Sequence, residues 1–270
     1  MSCPKCVEGY VLPGQPTGTI QPEYQGAYFA PRPENGQKDV AVILLTDAFG
    51  HPLKNCKLMA DKIAAQVGCD VWVPDLFQGS PILPLSAMSA MPDRADQRPT
   101  ILEWVRFIFG NIFPALPRFI RNRPSVVDAR IASLLALLKE TKPYEKFGAV
   151  GYCFGGTAAI RLASTNLINS VVVCHPGAFS ISAVQAMGVP SSWAWPEVDV
   201  AVSPQKILDT EAALASKKAT NPSLEYESKE YPGTQHGFAA RPNLKYPEIV
   251  EAYEKALEQT ISWFKKTLLG

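Results

Sequence analysis

The sequence predicts an α/β fold, a doubly wound and mostly parallel sheet with helices on both faces. Three observations carry that prediction. Apolar runs such as Asp39-Val40-Ala41-Val42-Ile43-Leu44-Leu45-Thr46 are nearly unbroken, the pattern of strands covered on both sides. These runs alternate with segments whose apolar residues recur at helical spacing. Hydrophobic residues make up 47% of the 270 and charged residues 19%, so one large core is affordable in a single domain spanning 1–270.

The elements follow in order. Residues 1–36 are rich in Gly and Pro with short apolar pieces, and read as an arm followed by one or two antiparallel edge strands. The strand at 39–46 comes next. Leu53 to Val67 places Leu58, Met59, Ile63 and Val67 at helical spacing, and Gly68 closes that helix. Asp70 to Pro74 is a strand, Val126 to Leu138 a helix, Phe147 to Tyr152 a strand, and Gly155 to Ser164 a helix. Ser170 to Cys174 and Pro190 to Trp195 are strands, and Pro204 to Ser216 is a helix. Leu224 to Tyr231 is the last strand, and Pro247 to Leu269 is a long terminal helix.

Residues 79–124 interrupt the alternation. They carry prolines 81, 84, 92, 99, 114, 117 and 124 around the apolar segment Ile101 to Phe109. They read as an insertion with a short helix and irregular loops, either a packed surface excursion or a lid over a pocket.

Charge and composition exclude several classes. The formal charge is +1 with no block of like charges, which gives no argument for nucleic acid or an anionic membrane surface as partner. The first residues lack the apolar stretch of a signal peptide, and no run reaches the ~18 apolar residues of a membrane helix. A soluble, cytoplasmic protein is expected. The six cysteines form no dense framework, so free thiols are expected. Cys3-x-x-Cys6 without a second pair is weak for zinc, and a terminal arm accounts for it as well.

The most informative stretch is Gly148-Ala-Val-Gly-Tyr-Cys-Phe-Gly-Gly-Thr157. A strand, a sharp Gly-x-nucleophile-x-Gly turn and a helix make the nucleophile elbow of α/β-hydrolases. The nucleophile sits in strained backbone, so the residues two positions away must be small, as Gly151 and Gly155 are. The helix N-terminus favours a thiolate at Cys153, and the Phe154 N–H can help hold an oxyanion. A buried structural thiol is the bland alternative.

A thiol nucleophile needs a base, and the chain has three histidines. The order in this fold is nucleophile, acid, histidine. His236 follows the last strand, where the base belongs. His51 precedes the nucleophile, and His175 ends the strand after the elbow helix and could line the pocket. The acid belongs after the strand at 190–195, where both Asp199 and Glu197 qualify; Asp209 lies within the next helix.

With these residues in place the chain resembles the dienelactone hydrolase family of α/β-hydrolases over nearly its whole length. Gly151-Tyr152-Cys153-Phe154-Gly155-Gly156 matches the family's elbow, and His236-Gly237-Phe238 its histidine loop. The opening Ser2-Cys3-Pro4-Lys5-Cys6 and Pro16-Thr17-Gly18 resemble fungal and other eukaryotic members. The resemblance implies an α/β-hydrolase fold with an inserted cap-like segment and a triad of Cys153, Asp199 and His236. It implies Asp47, in place of the family's glutamate, as the group that helps ionise the thiol, and the Ala48 N–H as second oxyanion donor. Asp47 could instead cap the next turn. The resemblance also points to Phe49, Tyr152 and Phe238 as substrate contacts. The family's carboxylate-binding arginine lies four residues after the histidine; here that position is Ala240, and Arg241 follows. Arg118, Arg121 and Arg123 could replace it, or form a solvated basic face.

The implied activity is hydrolysis of a small lactone or ester, which can be anionic, through a thioester on Cys153, with no metal or cofactor. Thiolates leave readily, so activated substrates such as enol lactones, aryl esters or thioesters suit the chemistry best. The alternative is a non-hydrolytic biosynthetic or ligand-binding descendant of the same fold. The sequence does not set the oligomeric state.

Overall fold

The computed structural model describes residues 9–270, so Cys3 and Cys6 lie outside the described residues. One sheet of eight strands runs through the molecule in the order β1-β2-β4-β3-β5-β6-β7-β8. The edge strands β1 (Thr19–Gln21) and β2 (Ala27–Ala30) are antiparallel, and β2 joins β4 (Cys69–Val73) antiparallel as well. From β4 onward every pair is parallel: β3 (Gln37–Leu45), β5 (Lys146–Tyr152), β6 (Ser170–Cys174), β7 (Ser191–Val198) and β8 (Tyr226–Gln235). The expected doubly wound arrangement is what forms.

Alternation along β3 explains why the sheet must be covered twice. Ala41, Ile43 and Leu45 enter one apolar cluster, with α4 (Pro124–Thr141), α5 (Phe154–Leu162) and α7 (Pro204–Thr220). Val40, Val42 and Leu44 enter the other, with α1 (Asn55–Ile63) and α8 (Pro247–Leu268). Each such fully buried aliphatic side chain contributes about 1.5–3 kcal/mol by leaving water. Pro at the start of α4, α7 and α8 presets the first helical φ where no N–H is needed. A short α6 (Ile181–Ala186), capped by Ser180, was not anticipated.

The strands end in a row, and that row positions the chemistry. Asp47 lies two residues past β3, and Cys153, His175, Asp199 and His236 immediately follow β5, β6, β7 and β8. Ligand sites of parallel sheets collect at these carboxyl ends. β7 runs on through Glu197 and Val198, and β8 through Thr234 and Gln235, further than the apolar pattern suggested.

The insertion is more regular than expected. Residues 101–121 form a nearly continuous helical rod: α2 (Ile101–Phe107), a π turn (Ile108–Ile112) and α3 (Phe113–Arg121). Thr100 and Glu103 close its N-terminus as a reciprocal capping box. Pro114 falls in the first turn of α3, and Pro117 is accommodated within it.

Candidate active site

Cys153 adopts φ 53°, ψ −111°, a conformation side-chain-bearing residues avoid. Three backbone hydrogen bonds hold it there. Its N–H donates to Cys174 O at 3.2 Å, and its carbonyl accepts from Thr157 N at 3.1 Å and Gly177 N at 3.0 Å. The flanking glycines are steric necessities. A Cβ on Gly151 would collide with the Gly155 carbonyl, and one on Gly155 with the Leu45 carbonyl. Cys153 is partly exposed, whereas Cys56, Cys69 and Cys174 are buried, and burial pushes each of those thiols up to about 12.

Asp199 and His236 meet across the ends of β7 and β8. His236 Nδ1 lies 2.9 Å from both Asp199 carboxylate oxygens, and these side chains are 6% and 1% exposed. A carboxylate accepts only, so Nδ1 carries the proton and Nε2 is left for another partner. Burial would lower the His236 pKa, but the charges of Cys153 and Asp199 and their hydrogen bonds outweigh it and raise it to about 10. Glu197, the rival acid, turns away and accepts from Gly233 N at 2.7 Å.

Asp47 is fully buried and accepts from Phe49 N at 3.0 Å, which is the Asx-turn alternative. Its other oxygen lies 3.7 Å from Arg241 Nε and has no hydrogen bond among the described residues. Burial raises its pKa, with Arg241, the Phe49 N–H and His236 pulling the other way. Its direct neighbours are therefore Arg241 and the turn, and no hydrogen bond joins it to the Cys153 thiol.

Four expected substrate contacts lie in the interior instead of on an open wall. Arg241 is 4% exposed, with its charge directed at Asp47 and its guanidinium over the Phe49 ring at 5.4 Å. Phe49 therefore backs Arg241. Tyr152 and Phe238 are each 2% exposed and flank the His175 ring at 6.0 and 5.8 Å. The physical reason is strand parity and the tight His236-Gly237 turn, which fold these side chains inward. His175 itself is wholly buried at φ 34°, its ring 5.1 Å from that of His236 and without a hydrogen bond at either nitrogen among the described residues. Burial, then the charges of His236 and Arg241, keep it neutral. His51 binds Val73 O at 3.0 Å, away from this group.

The Dienelactone hydrolase family profile matches residues 26–268. The chain belongs to the dienelactone hydrolase family. Among its relatives are "Hydrolase pyvD" of Aspergillus violaceofuscus, 26% identical over 97% of this chain and 96% of that protein. The human "Carboxymethylenebutenolidase homolog" is 27% identical over 92% and 89% respectively. The dienelactone hydrolase structure from Anabaena variabilis superposes with a TM-score of 0.55 at 15% identity, covering 89% of this chain and 91% of that one. The fold is thus that of an α/β-hydrolase, and family membership supports hydrolysis of lactones or esters.

Within this family member, the base of the insertion clasps the histidine loop. Ala95 N donates to Gly233 O, Gln235 Nε2 to Arg94 O and Gln97 O, and Arg241 reaches Met91 Sδ at 3.5 Å. Leu83 N donates to Ala48 O, which fixes the peptide beside Asp47. Between residues 89–99 and α2 lies a cavity of about 650 Å³ lined by Met91, Asp93, Arg98, Glu103, Arg106 and Phe107, so its charges are mixed. Nothing in the sequence pattern marked these contacts, because they join irregular segments far apart in the chain.

Proposed function

We propose that this protein is a cysteine-dependent hydrolase of activated lactones or esters that works through a thioester on Cys153. The observation that carries the reading is Cys153, strained at a helix N-terminus, beside a His236 ring anchored by Asp199. The raised His236 pKa supports a protonated imidazole at neutral pH, ready to donate near Cys153.

The thiolate attacks the carbonyl carbon, forming the C–S bond and moving the π pair onto oxygen. The Phe154 and Ala48 N–H groups are assigned to that oxyanion; neither is used in the backbone hydrogen bonds of the surrounding loops. Collapse breaks the C–O bond, and the His236 imidazolium gives its proton to the departing oxygen. Neutral His236, held by Asp199, then takes a proton from water as the hydroxyl attacks the thioester. The thiolate leaves and the ion pair is restored. Asp47 acts through Arg241 and the turn that holds Ala48, as a positioning residue.

Hydrolysis of p-nitrophenyl acetate and a panel of enol lactones by wild type, Cys153→Ala and His236→Ala tests the reading. Activity that falls at least about a thousandfold in both variants is expected. No wild-type activity, together with a Cys153 inert to iodoacetamide in folded protein, would overturn it in favour of ligand binding.

A further inference from the structure

The sheet ends on β8, and only part of that edge is covered. Towards its C-terminus Thr234 pairs with Arg94 of the insertion in an antiparallel bridge, and Gly233 O accepts from Ala95 N. Pro232 comes just before, a residue without an N–H to offer a neighbouring strand. Residues 226–230 have no strand on their outer side among the described residues. On the inner side Ser191 N donates to Glu225 O. A parallel ladder runs through alternate residues, so 225, 227 and 229 bond to β7, while Tyr226, Ser228 and Glu230 turn their N–H and C=O groups out of the sheet. The open stretch is thus centred on Ser228.

The side chains of this stretch are complementary to themselves. Alternation places Glu227 and Lys229 on the α8 face, where they line a groove with Lys255 and Glu258, two charges of each sign. Tyr226, Ser228 and Glu230 face α7, where Ser228 Oγ donates to Glu211 and engages that carboxylate within its own copy. Rotating a copy about a two-fold axis at Ser228 brings the outward-facing residues together, Tyr226 opposite Glu230 and Ser228 opposite Ser228. Each such pair exchanges two N–H···O bonds. The same rotation sets Glu227 opposite Lys229 twice. A lysine on an edge strand ordinarily guards it against pairing. Here its opposite number is a carboxylate that accepts from Ser192 Oγ at 2.6 Å and has no other hydrogen bond among the described residues. The two Glu230 side chains would stand four strand positions apart, about 13–14 Å, beyond the ~8 Å over which salt screens exposed charges.

We propose that residues 226–230 of β8 are a pairing edge for a second copy of this chain, joined antiparallel about Ser228 into one continuous sheet. Pro232 and the Arg94–Thr234 bridge limit the pairing to the stretch whose charges match. That stretch is the N-terminal part of β8, away from the strand end that carries His236, so each copy keeps its site open. The outer side of the rod 101–121 offers a contrast. It exposes Phe109 by 67%, Phe113 by 61% and Ile120 by 68%, an apolar surface with no register to select a partner.

Sedimentation velocity of the full chain at low salt, from micromolar to near-millimolar concentration, tests the proposal. Wild type should form a reversible dimer. Glu227→Lys and Lys229→Glu each set like charges opposite one another twice, and each should weaken dimerisation about tenfold or more. An equimolar mixture of these two variants should dimerise again, because each carries the charges that the other lacks. Both positions are exposed, and circular dichroism shows whether each variant is folded. Glu230→Pro is a second route: it removes an outward N–H, leaves the ladder to β7 intact, and should also weaken the dimer. A folded wild type that stays monomeric at every concentration overturns the proposal. So does a dimer indifferent to the three β8 changes, or a mixture of the charge variants that stays monomeric. A dimer that Phe109→Ser/Phe113→Ser disperses while the β8 variants keep it also overturns the proposal, since the second copy would then sit on the rod.

Discussion

The turn at 151–156 and the rod at 101–121 are built on opposite terms. In the turn, each backbone position is fixed by a neighbour: Gly151 by the Gly155 carbonyl, Gly155 by Leu45, Gly156 by Pro176, and Cys153 by three hydrogen bonds. In the rod, most side chains face outward and the fold asks only for a helix with a few inward anchors. In the first place the geometry admits one arrangement. In the second the fold leaves the composition of the outer surface free. Measurements can break that contrast or sharpen it.

The largest effect belongs to the proposed triad. Asp199→Asn should keep the fold and lower activity about 10³–10⁴-fold, because the His236 ring loses the partner that fixes its tautomer. A loss under tenfold in steady-state rates would mean that the strained turn alone carries the chemistry. Next comes the buried pair. Arg241→Met strands Asp47 without its counter-charge, and urea unfolding should register a loss of about 3–5 kcal/mol. Adding Asp47→Asn should recover part of it; no recovery would show that Arg241 matters through Phe49 and Met91 instead. Gly155→Ala should cost about 1–3 kcal/mol, since the obstacle is the Leu45 backbone and cannot swing aside. An unchanged denaturation midpoint would remove the steric account of the elbow.

A smaller effect depends on pH. The His236 pKa is raised in the folded state to about 10 from an unfolded value near 6.5. The stability it brings is therefore complete below about pH 6.5 and is lost as pH rises through about 10. The melting-temperature gap between wild type and Asp199→Asn should be widest near pH 6.5 and close at alkaline pH. A constant gap would mean that the contact is not charge-assisted. Smallest of all, Leu102→Ser on the rod should shift unfolding by no more than about 0.5 kcal/mol. A larger loss would show that the rod is packed after all.

The same contrast explains what the sequence disclosed. The alternating elements and the strained strand–turn–helix at 151–156 were legible because they depend on local pattern, and the meeting of Asp199 with His236 because both follow strand ends. The choice between Asp199 and Glu197 was not, since both stand near the end of β7 and only the side on which each emerges separates them. Arg241 was misplaced because spacing from His236 says nothing of Asp47, which approaches from another strand. Phe49, Tyr152 and Phe238, expected as substrate contacts, turn to the inner side in space, which their place along the chain does not reveal. The rod's regularity was hidden by Pro114 and Pro117, which ordinarily end helices, and its outward stripe looks in sequence like any buried helix face.

The three hydrogen bonds at residue 153 all use main-chain atoms. The turn is thus a socket indifferent to which small reactive atom it presents. Exchanging sulfur for oxygen, as in Cys153→Ser, requires one base change in a codon and no rebuilding of the scaffold. A lineage holding this turn can move between thiol and hydroxyl chemistry in a single step, with the histidine's proton affinity left as the property that must be readjusted.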